Sequence, residues 1–439
     1  MGNNDGHIPK NRKTSLFSMA AKLVLKEGQS LLHRQAETRL KSMVEQADIV
    51  VSHVGKLKGA AMKAVQMLTI EAQDLLPPEV LQVLEKLQSQ SPPMSGEIMM
   101  AQLKQELGEE KFSRLKDISI EPIAAASIGQ VYSASLDGQE VVIKIQYPEI
   151  AESIESDLST LKKLMGSLLF LFGKSIDLDD LFSEVERVLK LEADYLQEAE
   201  NLKKYHQNFM HSSEYLVPQV FTEFSTSKIL VLSRMEGLEF TDWIRQNPPQ
   251  SERQIVGGHL LNLYMKELFQ HQFVQTDPNP ANFLINSKQQ LVLLDFGATL
   301  FYSNEFVSKY KNLIQTVFRG EDEEIRYQVL AMEFISPKET LETQQKFVEF
   351  LKFSLVPFAD QGQPFDFSQS DYSDQVRKKA LEFSKMIRYS APPKQLIFLH
   401  RKLGGIFQLL KRMGITADLR SYKQEILQST SVESPSAQR

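Results

Sequence analysis

The chain has 439 residues, room for two to four domains at roughly 100–200 residues each. Apolar residues are 42% and charged residues 24%, an ordinary globular balance that argues against wholesale disorder and against a polytopic membrane protein. A net charge of −6 speaks against a general nucleic-acid binder, and the absence of cysteine excludes a disulfide scaffold, a thiolate nucleophile and cysteine-ligated metal.

Charge is uneven along the chain. Residues 1–70 hold 11 Lys and Arg against 5 Asp and Glu, which leaves −12 for the remainder. Such a basic arm either faces a membrane or polyanion or is a solvated helical face, and the sequence leaves both readings open. No run of 18 apolar residues exists, so no spanning helix is expected. The most apolar stretch, Leu164 to Phe172, is short and flanked by Lys162, Lys163 and Lys174. Lys22, Lys26 and Glu27 interrupt any secretory leader, and Gly6 stands where myristoylation needs Ser or Thr.

Residues 1–14 are polar. Helical spacing runs from Ser15 to about Gln73 and stops at Pro77-Pro78. Helices are expected over Glu79 to Leu87 and Glu97 to Leu107, separated by Ser91-Pro92-Pro93. From Ile118 the texture turns to β-formers, with strands to Ala134 and over Glu140 to Ile145; Leu136-Asp137-Gly138-Gln139 is a hairpin turn. Helices follow over Ile150 to Phe172 and over Asp179 to Met210. Then come a strand at Ile229 to Ser233, a hinge at Met235-Glu236-Gly237, an apolar helix over Gln254 to Gln272 and a buried strand at Leu291 to Asp295. Helices continue to about residue 426, before a polar tail expected to be disordered. The order is α+β.

Polar residues inside apolar strands carry the chemical signal, because burial makes them costly. Lys144 sits in Val141-Val142-Ile143-Lys144-Ile145 and needs an anion, for which Glu198 is the candidate; the alternative is an edge-strand lysine reaching water. The pair resembles the lysine and glutamate that hold phosphates in protein kinases. Asp277 and Asn282, five apart in Asp277-Pro278-Asn279-Pro280-Ala281-Asn282, match D-x-x-x-x-N, in which one loop aims Asp277 at the attacking group and turns Asn282 toward a metal. Alone, this stretch reads as a turn. Asp295-Phe296-Gly297 ends an apolar strand 18 residues beyond Asp277, where Asp295 would bind Mg²⁺ through hard oxygen. Four such elements in order favour a kinase-like nucleotide site. Three departures argue against an ordinary protein kinase: alanines replace the glycine-rich loop, no A-P-E follows Asp295-Phe296-Gly297, and Thr276 replaces the arginine before Asp277.

The sequence resembles the UbiB-like atypical kinases, the AarF-domain family that includes the mitochondrial coenzyme Q kinases. The resemblance runs from about residue 56 to 410. It rests on Ala124-Ala125-Ala126-Ser127-Ile128-Gly129-Gln130-Val131, Val142-Ile143-Lys144-Ile145-Gln146-Tyr147-Pro148, Glu192-Ala193-Asp194-Tyr195, Gln275-Thr276-Asp277-Pro278-Asn279, Leu294-Asp295-Phe296-Gly297-Ala298 and Leu399-His400-Arg401-Lys402-Leu403-Gly404-Gly405. It implies an atypical protein-kinase-like bilobal fold. A helical extension over residues 1–115, an N-lobe over 116–236 with the alanine-rich loop and a mostly helical C-lobe over 237–428 would precede the tail 429–439. It implies ATP or ADP with Mg²⁺, held by Ala124, Ala125, Ala126, Ser127 and Lys144 and by Asn282 and Asp295, with Asp277, Lys144 and Glu198 catalytic.

The family's K-x-G-Q signature, which gates the active site, corresponds to Lys63-Ala64-Val65-Gln66, supported by Glu192 and Asp194. Val65 stands where the family has glycine, a bulk expected to push this helix away from the lobe. The resemblance further implies ATPase activity tied to ubiquinone biosynthesis, and contact with a membrane, a lipid or a quinone precursor. Since the family's membrane-spanning segments are not found, peripheral attachment on the cytoplasmic face of an inner membrane, or a membrane partner, is expected of a cytoplasmic protein. A homodimer is compatible with the sequence. Two readings follow, an active atypical kinase or ATPase and a nucleotide-gated binding module; a conventional Ser/Thr kinase is disfavoured.

Overall fold

The computed structural model describes residues 60–71, 76, 80, 81, 84, 94–126, 128–171, 176–358, 364–369, 371–390 and 393–428. The helical pattern expected before residue 60, most of the helix expected over Glu79 to Leu87, Ser127 and the tail 429–439 lie outside them. The chain divides into two compact units, residues 1–199 with 220–234 and residues 200–219 with 235–439.

The first unit holds α1 (Ala60–Glu71), α2 (Gly96–Arg114), β1 (Leu115–Lys116), β2 (Ala124–Ala126), β3 (Gly129–Leu136), β4 (Gln139–Gln146), α3 (Ile150–Leu171), α4 (Asp179–Glu192) and the first turn of α5 (Tyr195–Phe209). After β5 (Tyr215–Leu216) of the other unit it ends with β6 (Ile229–Ser233). The strands pair in the order β1-β3-β4-β6, with β2 also on β3. The β3–β4 hairpin turns through Asp137 at φ 51° and Gly138 at φ 85°. Two successive positive φ values suit the right-handed twist of the strands and explain the Asp-Gly pair.

One face of the sheet buries Tyr132, Val141, Ile143, Ile145 and Val231 against Met99, Leu103 and Leu107 of α2. A second core is helical: Ala61, Ala64, Val65 and Leu68 of α1 pack with Leu158, Leu161 and Met165 of α3 and Val185 and Leu189 of α4. Val65 is fully buried there. Its bulk therefore fills the contact between helices instead of holding α1 off. The single helix expected over Asp179 to Met210 is two. Ala193 turns, and Asp194 caps α5, its Oδ1 accepting from the Gln197 N–H at 3.0 Å. An aspartate that satisfies a free first-turn donor restarts a helix more readily than it continues one.

The second unit carries the rest of α5, then β7 (Leu238–Glu239), α6 (Phe240–Arg245), α7 (Gln250–Met265), β8 (Phe273–Gln275), β9 (Phe283–Ile285), β10 (Leu291–Leu293) and β11 (Thr299–Phe301). Helices α8 (Asn304–Arg319), α9 (Asp322–Ala331), α10 (Leu341–Ser354), α11 (Tyr372–Ser384), α12 (Lys394–Met413) and α13 (Arg420–Gln428) follow, with the small β12–β13 pair at Phe365–Asp366 and Thr416–Ala417. One sheet runs β5-β10-β9-β7, and β8 pairs with β11. The apolar helix expected over Gln254 to Gln272 starts earlier and loosens into a π turn at Lys266–Gln270, closed by His271 N–H to the Lys266 carbonyl at 2.8 Å.

Candidate active site

In the first unit, strand alternation sends Val141, Ile143 and Ile145 into the core and places Lys144 on the other face of β4. Its Nζ lies 2.9 Å from both carboxylate oxygens of Glu198. Glu198 is 2% exposed and Lys144 17%. The lysine is thus ion-paired rather than reaching for bulk water. The Tyr195 ring, one turn earlier on α5, lies 5.0 Å from the same ammonium. One helical turn presents both a carboxylate and a π face to one cation. Gln146, buried at the end of β4, anchors that turn by donating to the carbonyls of Ala193 at 2.8 Å and Ser227 at 3.1 Å.

Ala124, Ala125 and Ala126 form β2, paired so that Ala126 faces Gly129. A Cβ on Gly129 would lie 2.1 Å from the Ile145 carbonyl oxygen. Close approach of two strands therefore demands this glycine. Ile128, 2% exposed, belongs to the core that contains α1. On α1, Lys63 Nζ lies 3.3 Å from Glu192 Oε1. Gln66 is half-buried on the same helix, while Asp194 is exposed and occupied with the α5 cap.

In the second unit, Gln275-Thr276-Asp277 leaves β8 and leads to a 3₁₀ turn at Pro280–Asn282. Asn279 starts that turn, its Oδ1 accepting from the Ala281 N–H at 3.1 Å. Asn282 Nδ2 donates to Asp277 Oδ2 at 3.1 Å and to the Asp277 carbonyl at 3.2 Å. With the amide nitrogen so engaged, the amide oxygen of Asn282 is the atom that would serve a cation. Asp295 Oδ1 accepts from the Gly297 N–H at 3.0 Å. A carboxylate and an amide oxygen fit Mg²⁺, which takes few protein ligands and completes its shell with phosphate and water. Among the described residues no group of three or more His, Cys, Asp or Glu is placed to hold a metal.

Thr276 donates from both N–H and hydroxyl to the Ala298 carbonyl, each at 2.8 Å. A small side chain here ties the segment after Asp295-Phe296-Gly297 to the loop before Asp277. Phe296 is buried, its ring 4.4 Å from that of Tyr205, and Asn201 Nδ2 donates to its carbonyl at 2.9 Å.

Asn201 and Glu267 lie outside the matching stretches, and Gln275 and Lys402 lie within them with no role assigned; all four are buried. Glu267 and Lys402 form an ion pair with each side chain 1% exposed. Burial pushes the Lys402 ammonium down and the Glu267 carboxyl up, and each opposes the other's shift. Tyr205 completes the group by donating to Glu267 Oε1 at 2.8 Å, and burial holds its hydroxyl far above the usual range. The signal for Lys402 lay in helical spacing: it stands three residues after Leu399 and four before Ile406, both fully buried.

Residues 86–329 match the ABC1 atypical kinase-like domain. The chain is 31% identical over 386 residues to the atypical kinase coq-8, mitochondrial, of Caenorhabditis elegans, covering 87% of this chain and 50% of that protein. It is 33% identical over 386 residues to the atypical kinase COQ8, mitochondrial, of Saccharomyces cerevisiae, covering 86% and 75%. It is 32% identical over 375 residues to the atypical kinase COQ8B, mitochondrial, of Rattus norvegicus, covering 84% and 69%. The chain thus spans from half to three-quarters of the length of these relatives. Among solved structures its fold is similar to that of Rv3197 from Mycobacterium tuberculosis, solved with erythromycin. The TM-score is 0.58 at 22% identity, over 89% of this chain and 98% of that one. The matched domain covers more than half of the chain and the relatives agree with it, so the chain belongs to the ABC1 atypical kinase-like family, with that family's α+β kinase-like fold.

Proposed function

We propose that this chain is an Mg²⁺-dependent ATPase or phosphotransferase that supports coenzyme Q biosynthesis at a membrane. The observation that carries the reading is the hold of Asp277 on the Asn282 amide nitrogen, and it supports a cation site made of the Asn282 oxygen and Asp295. Lys144, fixed by Glu198, anchors the phosphates, and Ala124, Ala125, Ala126 and Ser127 border the nucleotide. Asp277 orients or deprotonates the acceptor. Mg²⁺, where bound, would be held by Asn282 and Asp295 and would neutralise the negative charge that develops on transfer. The acceptor is water, a small molecule or a lipid-like quinone precursor, because the chain lacks the A-P-E element that displays a peptide. Lys63, Gln66, Glu192 and Asp194 gate the site. No helix among the described residues is long and apolar enough to cross a membrane. The basic balance of residues 1–70 supports peripheral attachment at the cytoplasmic face, with that arm as the contact.

The test is ATP hydrolysis with Mg²⁺, with and without anionic liposomes, in the wild type, Asp277→Asn and Asp295→Asn. Loss of about 10²-fold or more in both variants is expected. Equal rates in all three proteins would refute the enzymatic reading. The second reading, a nucleotide-gated binding module, draws on the alanine strand β2, which is paired along its length. It requires liposome or partner binding to differ between ATP and ADP, and fails where the two give the same binding.

A further inference from the structure

We infer that the buried Glu267–Lys402 pair is a positioning device for the Asp277 loop, acting through Gln275. The inference deepens the function proposed above, and its kinetic arm rests on that reading.

A fully buried ion pair needs a reason other than stability, since well-packed apolar residues of similar volume do as well or better. The geometry supplies one. Lys402 Nζ lies 3.5 Å from Gln275 Oε1, and Gln275 Nε2 donates to the Asp277 carbonyl at 2.7 Å. That same carbonyl accepts from Asn282 at 3.2 Å. Two hydrogen bonds thus lead from the buried ammonium to the peptide that orients both Asp277 and Asn282. The carboxylate end grips the same residue from the other side. Glu267 Oε1 accepts from the Tyr205 hydroxyl, and that hydroxyl accepts from the Gln275 N–H at 2.6 Å. Gln275 is therefore held at backbone and side chain by the two halves of one ion pair.

Helix α12 reinforces the loop beyond Gln275. Three residues after Lys402, a Cβ on Gly405 would come within 2.2 Å of the Pro278 ring. One residue before it, Arg401 Nη2 lies 3.8 Å from Asp277 Oδ1. One stretch of helix thus contacts Gln275, Asp277 and Pro278 in turn. The positive charge that a kinase places on the residue before its aspartate is replaced here by Thr276, and α12 brings cations from elsewhere in the chain. The π turn at Lys266–Gln270 contains Glu267, and local π geometry commonly aims a side chain that regular helix would misdirect. A hollow with room for about one water is lined by Glu267, Lys402, Gln275, Asn282 and Asp295, so the pair and the two proposed metal donors border one space.

The decisive variants are Lys402→Met/Glu267→Leu, which removes both charges together, and Gln275→Leu, which keeps the ion pair and cuts its link to Asp277. If the pair only stabilises the fold, the double variant recovers wild-type behaviour in full. If it positions the loop, the double variant melts near the wild type and keeps its nucleotide KM, yet kcat falls at least tenfold. Amide exchange over residues 275–282 also rises at least tenfold. Gln275→Leu gives the same split, and so does Gly405→Ala without altering any charge. Wild-type kcat together with wild-type exchange in Gln275→Leu overturns the inference, whether or not the double variant folds. Should the wild type itself hydrolyse no ATP, the proposed function fails, and the exchange arm still decides the positioning role.

Discussion

Replacing Lys144 by methionine breaks an ion pair that joins β4 to α5. Glu198 is 2% exposed, and both of its oxygens lie 2.9 Å from the ammonium. Without Lys144 the carboxylate has two options. It stays ionised without its counter-ion, at about 3–5 kcal/mol for a buried pair broken at one end. Or it takes up a proton. From an ordinary glutamate value of about 4.3, protonation at pH 7 costs about 3.5 kcal/mol, which caps the damage. Water entering where Lys144 is 17% exposed relieves part of it, so a loss of about 2–3 kcal/mol is expected. The cap has a definite sign with pH. It falls by about 1.4 kcal/mol for each unit of acidification, so the loss at pH 5.5 should be no more than about 1.5 kcal/mol.

Glu198→Gln strands an ammonium that keeps some water and the Tyr195 ring, and should cost about 1–2 kcal/mol. The double variant should be less destabilised than the singles combined, with a coupling of about 1.5–2.5 kcal/mol. Native-state hydrogen exchange over Val141 to Ile145, which pair with β3 and β6, reads the stability of this unit by itself. A coupling under about 0.5 kcal/mol, or a loss for Lys144→Met that does not shrink on acidification, refutes the reasoning.

Three further perturbations follow from the geometry. His400 Nε2 hydrogen-bonds the Tyr310 hydroxyl at 3.0 Å, and burial pushes its imidazole down to about 4. An unfolded histidine titrates near 6.5, so this contribution is whole above about pH 6.5 and is lost as pH falls toward 4. His400→Gln should flatten the decline of urea stability across that window by about 1–3 kcal/mol, and an unchanged pH slope counts against it. Gly129→Ala would set a Cβ 2.1 Å from the Ile145 carbonyl oxygen, so a strand must move; about 2–4 kcal/mol is expected in urea unfolding, and a neutral result removes the close-approach argument. Lys63→Ala leaves Glu192, 17% exposed, without its ion-pair partner on α1, at about 1–2 kcal/mol by the same measurement, with Lys63→Arg near wild type.

Spacing made the outline of the site readable. An Asp and an Asn five apart fit within one loop, and a lysine inside Val141-Val142-Ile143-Lys144-Ile145 announces a buried anion before any partner is located. Asp-Gly between two β-rich runs names its own turn, and the backbone there has the two positive φ values that pair demands. What escaped were features decided by partners distant in sequence. The break at Asp194 depends on a cap that competes with an otherwise continuous helical pattern. Val65 reads as an obstruction only until its neighbours from α3 and α4 are known.

Lys402 is the instructive case. Its charge reads as surface, yet its spacing from Leu399 and Ile406 puts it on the buried stripe of α12. Charge and spacing conflict, as they do at Lys144, and the two conflicts resolve alike: each lysine meets a glutamate that is itself buried, 54 residues away for Lys144 and 135 for Lys402. A lysine on an apolar periodicity is therefore evidence of an unseen carboxylate. A carboxylate that stays buried to serve a lysine cannot be exchanged singly without leaving a charge stranded. In the first unit one such pair contains the lysine proposed for phosphate, and in the second the other reaches the Asp277 loop through Gln275. A search for conflicts between charge and periodicity reaches both lysines from the sequence and asks each for its anion, whereas motif matching includes Lys402 within Leu399 to Gly405 and gives it no role.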